Sequence, residues 1–321
     1  MADYINIRGQ SIEVVASDPA NPKLGQIWYN STSNTSKGQA IQAAAWATAT
    51  AQSQGRYYGG GAGIQTAALS TGGYDTTWVS ATEEYDGSSW TSGGSLATAR
   101  YGLGSFGVQT AAVVYAGNAP GGDPSATEEY DGSTWSGGGT FPSVGAVFTG
   151  TGAGTLTAGL AAGFHLTPSA EYDGTNWTAG GTLTTGRNEG GAAGTQTAAF
   201  LTGGNIPPGV YSNATEEYDG TSWTAGGTRN TNAVLGIAFG TQTAGVATVG
   251  GAISPQAVTE TYDGTSWTTS ASFSSERYAA SSASASPASA GVMFGGNPAP
   301  GRTLVEEWTG AAIVTQTITA S

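Results

Sequence analysis

Short apolar runs and small polar clusters alternate along most of the chain, and the alternation recurs in a fixed order. Each apolar run ends in glycine, as at Ala111–Gly117, Ala198–Gly204 and Gly291–Gly296. A stretch rich in Gly, Ala and Ser precedes each run. An irregular loop, a Glu-Glu-Tyr-Asp-Gly segment and a tryptophan follow it. Runs of this length between turn-forming residues are typical of strands. Each unit therefore predicts four short strands, and we expect an all-β fold.

Tryptophans mark the period of this repeat. Successive members are 42 to 46 residues apart, and Ile313 takes the next position in the series. The members are Trp46, Trp90, Trp135, Trp177, Trp223 and Trp267. Six steps, each holding four short strands, predict six blades of a β-propeller. The predicted organisation is a short N-terminal extension at residues 1–38 and a six-bladed propeller over residues 39–321.

Trp46 lies in an Ala- and Gln-rich stretch whose composition favours a helix. Arg56 follows it by ten residues, a spacing that three other repeats share. This spacing favours a strand over Trp46 to Ala49. Because Ile313 leaves the chain with one fourth strand more than six blades need, we expect the Trp46 strand to lie beside the last blade.

The repeat is similar to the kelch motif. In that motif an apolar strand ends in two glycines, Tyr-Asp follows a loop, and a tryptophan about six residues later precedes an arginine. Two repeats depart from the double glycine, with Gly117-Asn118 and Gly163-Phe164. The resemblance covers residues 46–313 and implies a kelch-like propeller. The double glycine stands at Gly72-Gly73, Gly203-Gly204, Gly250-Gly251 and Gly295-Gly296.

The N-terminal extension carries a second resemblance. Leu24–Asn30 reads as a strand that leads into a polar turn over residues 31–38. The Gly-x-Ile-Trp-Tyr-Asn strand with Lys-Gly after the turn resembles the start of bacteriophage tail and fibre proteins. Gly- and Thr-rich arrays with Thr-Glu-Glu-Tyr-Asp-Gly resemble proteins of marine phages. The resemblance implies a virion protein, made in the host cytoplasm, whose residues 1–38 attach it to other virion proteins.

Composition narrows the chemistry. A net charge of −13 disfavours nucleic acid as a partner, because phosphates require a basic surface. The sequence has no cysteine and one histidine, whereas zinc and copper sites usually require several such ligands. Some kelch propellers are copper oxidases that use two histidines, a tyrosine and a Tyr–Cys crosslink. A chain with one histidine and no cysteine is not expected to have that activity. No apolar run reaches the length of about 18 residues that a membrane span needs. We expect no metal, no cofactor, no membrane span and no enzymatic activity.

Most carboxylates belong to the repeat. Glutamates at the two positions before the repeat Tyr, or before Trp308 in the last repeat, and the Asp of each Asp-Gly turn supply 15 of the 22 acidic residues. Catalytic carboxylates need different environments, so identical copies indicate architecture. Replacing Glu128 by Gln, taken as a surface change, is then expected to cost about 1 kcal/mol or less. Structural roles are expected for Asp86, Trp90, Asp131, Trp135, Asp173, Trp177, Asp219, Trp223, Asp263 and Trp267.

The loops that follow the double-glycine position differ between repeats. In a propeller they share one face with the blade-to-blade connections, and varied loops on a rigid frame are the usual place for binding. We expect this face to bind a host-surface glycan or protein, or to decorate the particle. The candidate binding residues are Tyr74, Trp78, His165, Tyr211 and Arg302.

Two other functions stay open. A carbohydrate-active enzyme on a propeller scaffold would need two non-repeated carboxylates on this face, for which Asp75, Asp123 and Glu189 are the candidates. A bacterial interaction protein would gain support from a secretion signal, and Met1 to Gln10 does not have that pattern.

Overall fold

The structure is a computed structural model that describes residues 12–122, 125–142, 151–164, 167–248, 250–251, 256–298 and 301–318. It divides the chain into two compact units. The smaller unit contains residues 1–44 and 310–321, and the larger unit contains residues 45–309. Apart from a 3₁₀ turn at Gly301–Thr303, the regular structure of the described residues consists of strands. The predicted all-β class is therefore confirmed.

The smaller unit is one mixed sheet. Its strands, in spatial order, are β1 (Glu13–Val15), β2 (Ile27–Asn30), β3 (Thr35–Gln42) and β30 (Ala312–Ile318). β1 pairs with β2 in parallel, and the other pairs are antiparallel. Ile313, which continues the tryptophan series in the sequence, pairs with Ile41 in this sheet. The predicted domain boundary after residue 38 falls within β3.

Asp18 holds the turn side of this sheet together. Its carboxylate accepts hydrogen bonds from Trp28 Nε1 (3.1 Å), Asn30 Nδ2 (2.7 Å) and Lys37 Nζ (2.6 Å). The bonds from Lys37, Asn30 and Trp28 lower the pKa of Asp18 to about 2. The charged carboxylate therefore fixes the Trp28 ring, which is fully buried.

The larger unit contains six four-stranded antiparallel sheets within the described residues. We number these sheets 1 to 6 in chain order. Sheet 6 also contains β4 (Ala45–Thr48), which is the first strand of the unit. The strands of sheets 1 to 3 are β5 (Gly60–Ile64), β6 (Ala67–Thr71), β7 (Thr82–Tyr85) and β8 (Trp90–Ser92); β9 (Gly104–Val108), β10 (Ala111–Tyr115), β11 (Thr127–Tyr130) and β12 (Trp135–Gly137); β13 (Thr151–Thr155), β14 (Ala158–Ala162), β15 (Pro168–Tyr172) and β16 (Trp177–Thr182). Those of sheets 4 to 6 are β17 (Gly191–Thr195), β18 (Ala198–Thr202), β21 (Thr215–Tyr218) and β22 (Trp223–Ala225); β23 (Ala238–Thr241), β24 (Ala244–Thr248), β25 (Thr259–Tyr262) and β26 (Trp267–Thr269); β27 (Ser281–Ser282), β28 (Ala290–Phe294), β29 (Val305–Thr309) and β4. A two-stranded ribbon, β19 (Asn205–Ile206) and β20 (Val210–Tyr211), extends the loop of sheet 4.

The Trp46 segment is a strand, as the spacing predicts. β4 pairs with β29, and Trp46 stands directly opposite Trp308. The ring of Trp46 also meets Phe239 and Phe273 edge-on. The first strand of the larger unit thus takes the fourth position in the last sheet, and the prediction that it lies beside the last repeat is confirmed.

Glutamines of the repeat bond each of four sheets to the preceding one. Gln109 Nε2 donates to carbonyl oxygens in β6 and β7 of sheet 1, both at 2.9 Å. Gln65 of sheet 1 donates in the same way to carbonyls in β28 and β29 of sheet 6. Gln196 and Gln242 repeat the contact in sheets 4 and 5. These glutamines therefore join sheet 2 to sheet 1, sheet 4 to sheet 3, sheet 5 to sheet 4, and sheet 1 to sheet 6.

A tyrosine hydroxyl makes a second bond between sheets. In five cases the repeat Tyr donates to the second Glu of the preceding sheet. Sheet 6 has Trp308 at the Tyr position, and sheet 5 has Thr261 at the Glu position. Donor and acceptor are thus replaced together where the bond is missing. The five pairs are Tyr85–Glu307, Tyr130–Glu84, Tyr172–Glu129, Tyr218–Glu171 and Tyr262–Glu217.

The repeat tryptophans also face the preceding sheet. Trp135 Nε1 donates to Thr82 Oγ1 at 2.9 Å, and its ring packs on Tyr130 of its own hairpin with centroids 4.9 Å apart. Trp46, Trp177, Trp223 and Trp267 donate to equivalent hydroxyls. Sheet 6 has Val305 at the hydroxyl position, and Trp90 donates to the Thr50 carbonyl instead. The large aromatic side chains are therefore packing elements between sheets.

Buried Arg–Glu pairs fix the connection into each of five sheets. Arg100 lies before β9 and donates to Glu128 in β11 and to the carbonyls of Ala116 and Ala126. The second carboxylate oxygen of Glu128 accepts the Ala97 N–H at 2.7 Å. One pair thus ties the incoming chain to three positions of the sheet. The five pairs are Arg56–Glu83, Arg100–Glu128, Arg187–Glu216, Arg229–Glu260 and Arg277–Glu306.

The expectation that Glu128 behaves as a surface residue is wrong. Its side chain is 6% exposed, and that of Arg100 is fully buried. Two charges removed from water are stable only while they compensate each other. The first glutamate of the repeat is structural, as predicted, but through ion pairing in the interior.

The Asp-Gly turns close the outer hairpins. Asp131 Oδ1 accepts the N–H groups of Ser133 and Thr134 at 2.8 and 2.7 Å. Gly132 follows with φ of +93°, a conformation that glycine adopts without strain. These hydrogen bonds lower the pKa of Asp131 to about 2. The same pattern holds at Asp86, Asp173, Asp219 and Asp263.

Replacing Glu128 by Gln should lower the free energy of unfolding by about 3–5 kcal/mol, because the Arg100 guanidinium would stay buried without a counter-ion. Denaturant unfolding followed by circular dichroism measures the change. Glu276→Gln is the matched control, since Glu276 is exposed beside Arg277. It should change the free energy by about 0.5 kcal/mol or less. Equal effects of the two substitutions would contradict the buried pair.

The Asp turns should contribute to acid sensitivity. A carboxylate whose pKa is lower in the folded than in the unfolded state stabilises the fold above the unfolded value of about 3.9, and this contribution is lost as the pH falls through the folded value. For Asp131 the window runs from about pH 4 to about pH 2. Asn keeps the Oδ1 acceptor but does not titrate.

Replacing all five turn aspartates by Asn should therefore flatten the fall of the melting temperature in this window, and Asp131→Asn alone should give a smaller change in the same direction. Thermal unfolding between pH 2 and pH 7 checks this. A fall as steep as in the parent chain would refute a role for ionised turn carboxylates.

Candidate functional site

The irregular loops and the connections between sheets lie at the same end of the sheets. The residue after the repeat Arg forms a bridge with the residue after the glycine pair, as in Tyr57 with Tyr74 and Tyr278 with Asn297. Tyr101 with Asn118 and Asn188 with Asn205 repeat it. The Asp-Gly turns lie at the opposite end of the third strands. We call the end with the loops the loop face.

Aromatic side chains from sheets 1 and 2 converge on the loop face. Each ring lies beside at least two of the others, with centroids 5.2 to 6.4 Å apart. Trp78 Nε1 donates to Asn118 Oδ1 at 3.2 Å. All five side chains are partly exposed. This group, the aromatic cluster, consists of Tyr57, Tyr58, Tyr74, Trp78 and Tyr101.

Arg302 extends the cluster from the sheet 6 loop. Its guanidinium carbon lies 4.9 Å from the centre of the Tyr57 ring, and Nη1 lies 2.8 Å from Asp75 Oδ1. Asn297 Oδ1 accepts further bonds from Arg302. The structure therefore brings the predicted residues Tyr74, Trp78 and Arg302 together.

Tyr211 lies next to the same region through an apolar cluster. Its ring packs against a buried cluster of Val234, Leu235 and Ala279. Tyr57, Tyr58 and Tyr278 pack against the same cluster. Two predicted residues, His165 and the carboxylate candidate Asp123, lie outside the described residues.

A belt of backbone hydrogen bonds, which links residues of five sheets, runs beside a cavity on the loop face. Each belt residue stands twelve positions after a repeat Trp and has φ between +53° and +65°. Neighbouring belt residues are joined by hydrogen bonds of 2.8 to 3.0 Å from the N–H of one to the carbonyl oxygen of the other. The bonds run from Gly102 to Tyr58, from Tyr58 to Ala279, from Ala279 to Leu235 and from Leu235 to Glu189. Only one of the five is glycine, although non-glycine residues rarely adopt this conformation. The belt residues are Tyr58, Gly102, Glu189, Leu235 and Ala279.

The cavity has a volume of about 90 Å³, and residues in or just before the first strands of all six sheets line it. Most lining residues are Gly, Ala or Ser. Burial raises the pKa of Glu189. Burial also raises the pKa of Tyr58, and the negative charge of Glu189 raises it further. The two side chains therefore interact electrostatically at the cavity.

Sequence reasoning missed Tyr57, Tyr58, Tyr101 and Tyr278 as site residues. Each follows a repeat Arg within two positions, in a stretch that is otherwise rich in Gly, Ala and Ser. An aromatic residue in a segment of small residues was the available signal. Asp75 and Glu189, candidates for paired carboxylates, have different surroundings: one is ion-paired with Arg302, and the other lines the cavity.

No protein-family model matches the chain, and no curated protein matches it. Within the described part of the chain, no three His, Cys, Asp or Glu side chains are grouped so that they could hold a metal ion. No helix in that part is long and apolar enough to cross a membrane.

Arg302 on the loop face and Arg100 in a buried ion pair should differ in how much they contribute to stability. Arg302→Ala should lower the free energy of unfolding by about 1 kcal/mol or less, because its pair with Asp75 is partly exposed. Arg100→Ala should cost about 3–5 kcal/mol, because Glu128 would remain buried and unpaired. Denaturant unfolding measures both. A loss of stability for Arg302→Ala as large as that for Arg100→Ala would mean that Arg302 is needed for the fold of the sheets.

Proposed function

We propose that the six sheets of the larger unit are the blades of a closed, six-bladed, kelch-like β-propeller. The bonds from Gln65 and Tyr85 to sheet 6 support closure, because they repeat the contacts between consecutive sheets. The pairing of β4 with β29 supports it as well, since it joins the start of the unit to its last sheet.

We propose that this propeller is a non-enzymatic binding protein whose loop face binds a neutral glycan. The observation that carries the proposal is the aromatic cluster with Arg302 at its edge. Aromatic rings offer large contact area and lose little side-chain freedom on binding, which suits the apolar faces of sugars. The cluster rests on the bridged ends of the strands, so its rings are held in place before a ligand arrives.

We further propose that the protein is displayed on a phage virion, as an adhesion or decoration protein. The smaller unit would attach it to other virion proteins. Ile41 and Ile313 support this role, because they are paired neighbours in the sheet and are 63% and 62% exposed. Adjacent exposed isoleucines favour contact with another protein.

Replacing Trp78 or Tyr211 by Ala should weaken attachment to host cells, or binding to a glycan array, by about tenfold or more while the fold is retained. Loss of a central aromatic contact typically costs about 2 kcal/mol. Asp131→Asn, at the opposite end of the sheets, is the control and should leave binding unchanged. Melting temperatures verify the fold of each variant. If the turn variant loses binding and the aromatic variants keep it, the loop face is not the binding face.

A further inference from the structure

Glu189 is the charged residue among the described residues that line the cavity. It stands at the belt position of sheet 4, where the other sheets have Tyr58, Gly102, Leu235 and Ala279. Its φ of +60° is unfavourable for a side chain by about 1 kcal/mol. Glycine occupies the same position in sheet 2, so the geometry of the belt does not itself require a glutamate.

The Glu189 carboxylate has no hydrogen-bond or ion-pair partner among the described residues, and its environment changes its pKa through burial alone. The repeat glutamates differ in this respect, since each buried one has an arginine. A partly desolvated carboxylate without a counter-ion attracts a cation that can reach it. The open cavity gives such access.

Tyr58 supplies a second surface for the cation. It lines the same cavity from sheet 1, three sheets away from Glu189 in the blade order, and the two groups interact electrostatically. An aromatic ring and a carboxylate together are suited to an organic ammonium group, because the ring attracts the charge and contacts the alkyl substituents. The small residues of the wall leave a volume of about 90 Å³, which exceeds that of several water-sized spheres.

We propose that the cavity binds an organic ammonium group, with Glu189 as its counter-ion and Tyr58 as its aromatic contact. The site shares Tyr58 with the aromatic cluster, but Trp78 does not line the cavity, so ammonium binding does not depend on the proposed glycan contact at Trp78. The ammonium group can come from a small cation or from the free amine of an amino sugar, and the choice of probe distinguishes these two sources.

The test uses the full chain and isothermal titration calorimetry with choline, glucosamine and N-acetylglucosamine. Choline or glucosamine should bind, and N-acetylglucosamine, which has no charge, should not compete. Glu189→Gln should weaken binding by about tenfold or more, since a charged partner is lost. Tyr58→Ala should weaken it by about threefold or more. Trp78→Ala should leave choline binding unchanged.

Stronger binding of glucosamine than of choline would identify an amino sugar as the source of the ammonium group, and the reverse a small cation. The proposal is overturned if neither probe binds at millimolar concentration, or if Glu189→Gln binds as tightly as the parent chain. It is also overturned if N-acetylglucosamine displaces the bound probe. Loss of glycan attachment in Trp78→Ala with retained choline binding would show that ammonium binding at the cavity does not require the glycan contact at Trp78.

Discussion

The buried arginine–glutamate pair is the interaction on which five of the six sheets of the larger unit depend. It joins the chain that enters a sheet to the third strand and to the carbonyls at the two ends of the loop before that strand, so that one ion pair determines where these segments lie. Five of the nine Lys and Arg residues are used in this way. Most of the chain's cationic side chains are therefore inside, and the surface is strongly acidic. Removing one partner of such a pair is costly because the other charge stays buried, whereas replacing both partners by apolar residues is often neutral for stability.

The contacts between sheets follow a consistent chemical logic. Glutamine amides, tyrosine hydroxyls and indole N–H groups all donate toward the preceding sheet, whose carbonyls, carboxylates and threonine hydroxyls accept. Where one partner changes, the other changes as well, as with Trp308 and Thr261, or the donor finds a new acceptor, as with Trp90 and the Thr50 carbonyl. Unpaired buried polar groups are costly, and this explains the correlated exceptions.

Periodicity predicts the strands well, because spacing and turn chemistry are local properties. The Trp46 strand and the Asp-Gly turns follow from them directly. The burial of Glu128 could not be predicted in the same way. Two consecutive glutamates suggest an exposed position, and only the fold places Arg100, 28 residues away in the chain, beside Glu128. The site was predicted in part: Tyr74, Trp78 and Arg302 stand out in variable loops. Glu189 and Tyr58 line the same cavity only because sheets 1 and 4 both face it, a relation between segments about 130 residues apart that the local sequence does not reveal.

The pairing of β4 with β29 has a consequence for how the chain is made. A ribosome synthesises β4 before any of the six sheets, yet its partner strand lies some 260 residues downstream. Sheets 1 to 5 can form one after another as they emerge, each with its own fourth strand. The earliest strand must meanwhile remain with an open edge until the latest part of the chain arrives. β4 can therefore pair only after β29, the last strand of the larger unit, has been made. A truncated product would leave the edge of β4 unpaired, and such an exposed edge can be recognised by other chains.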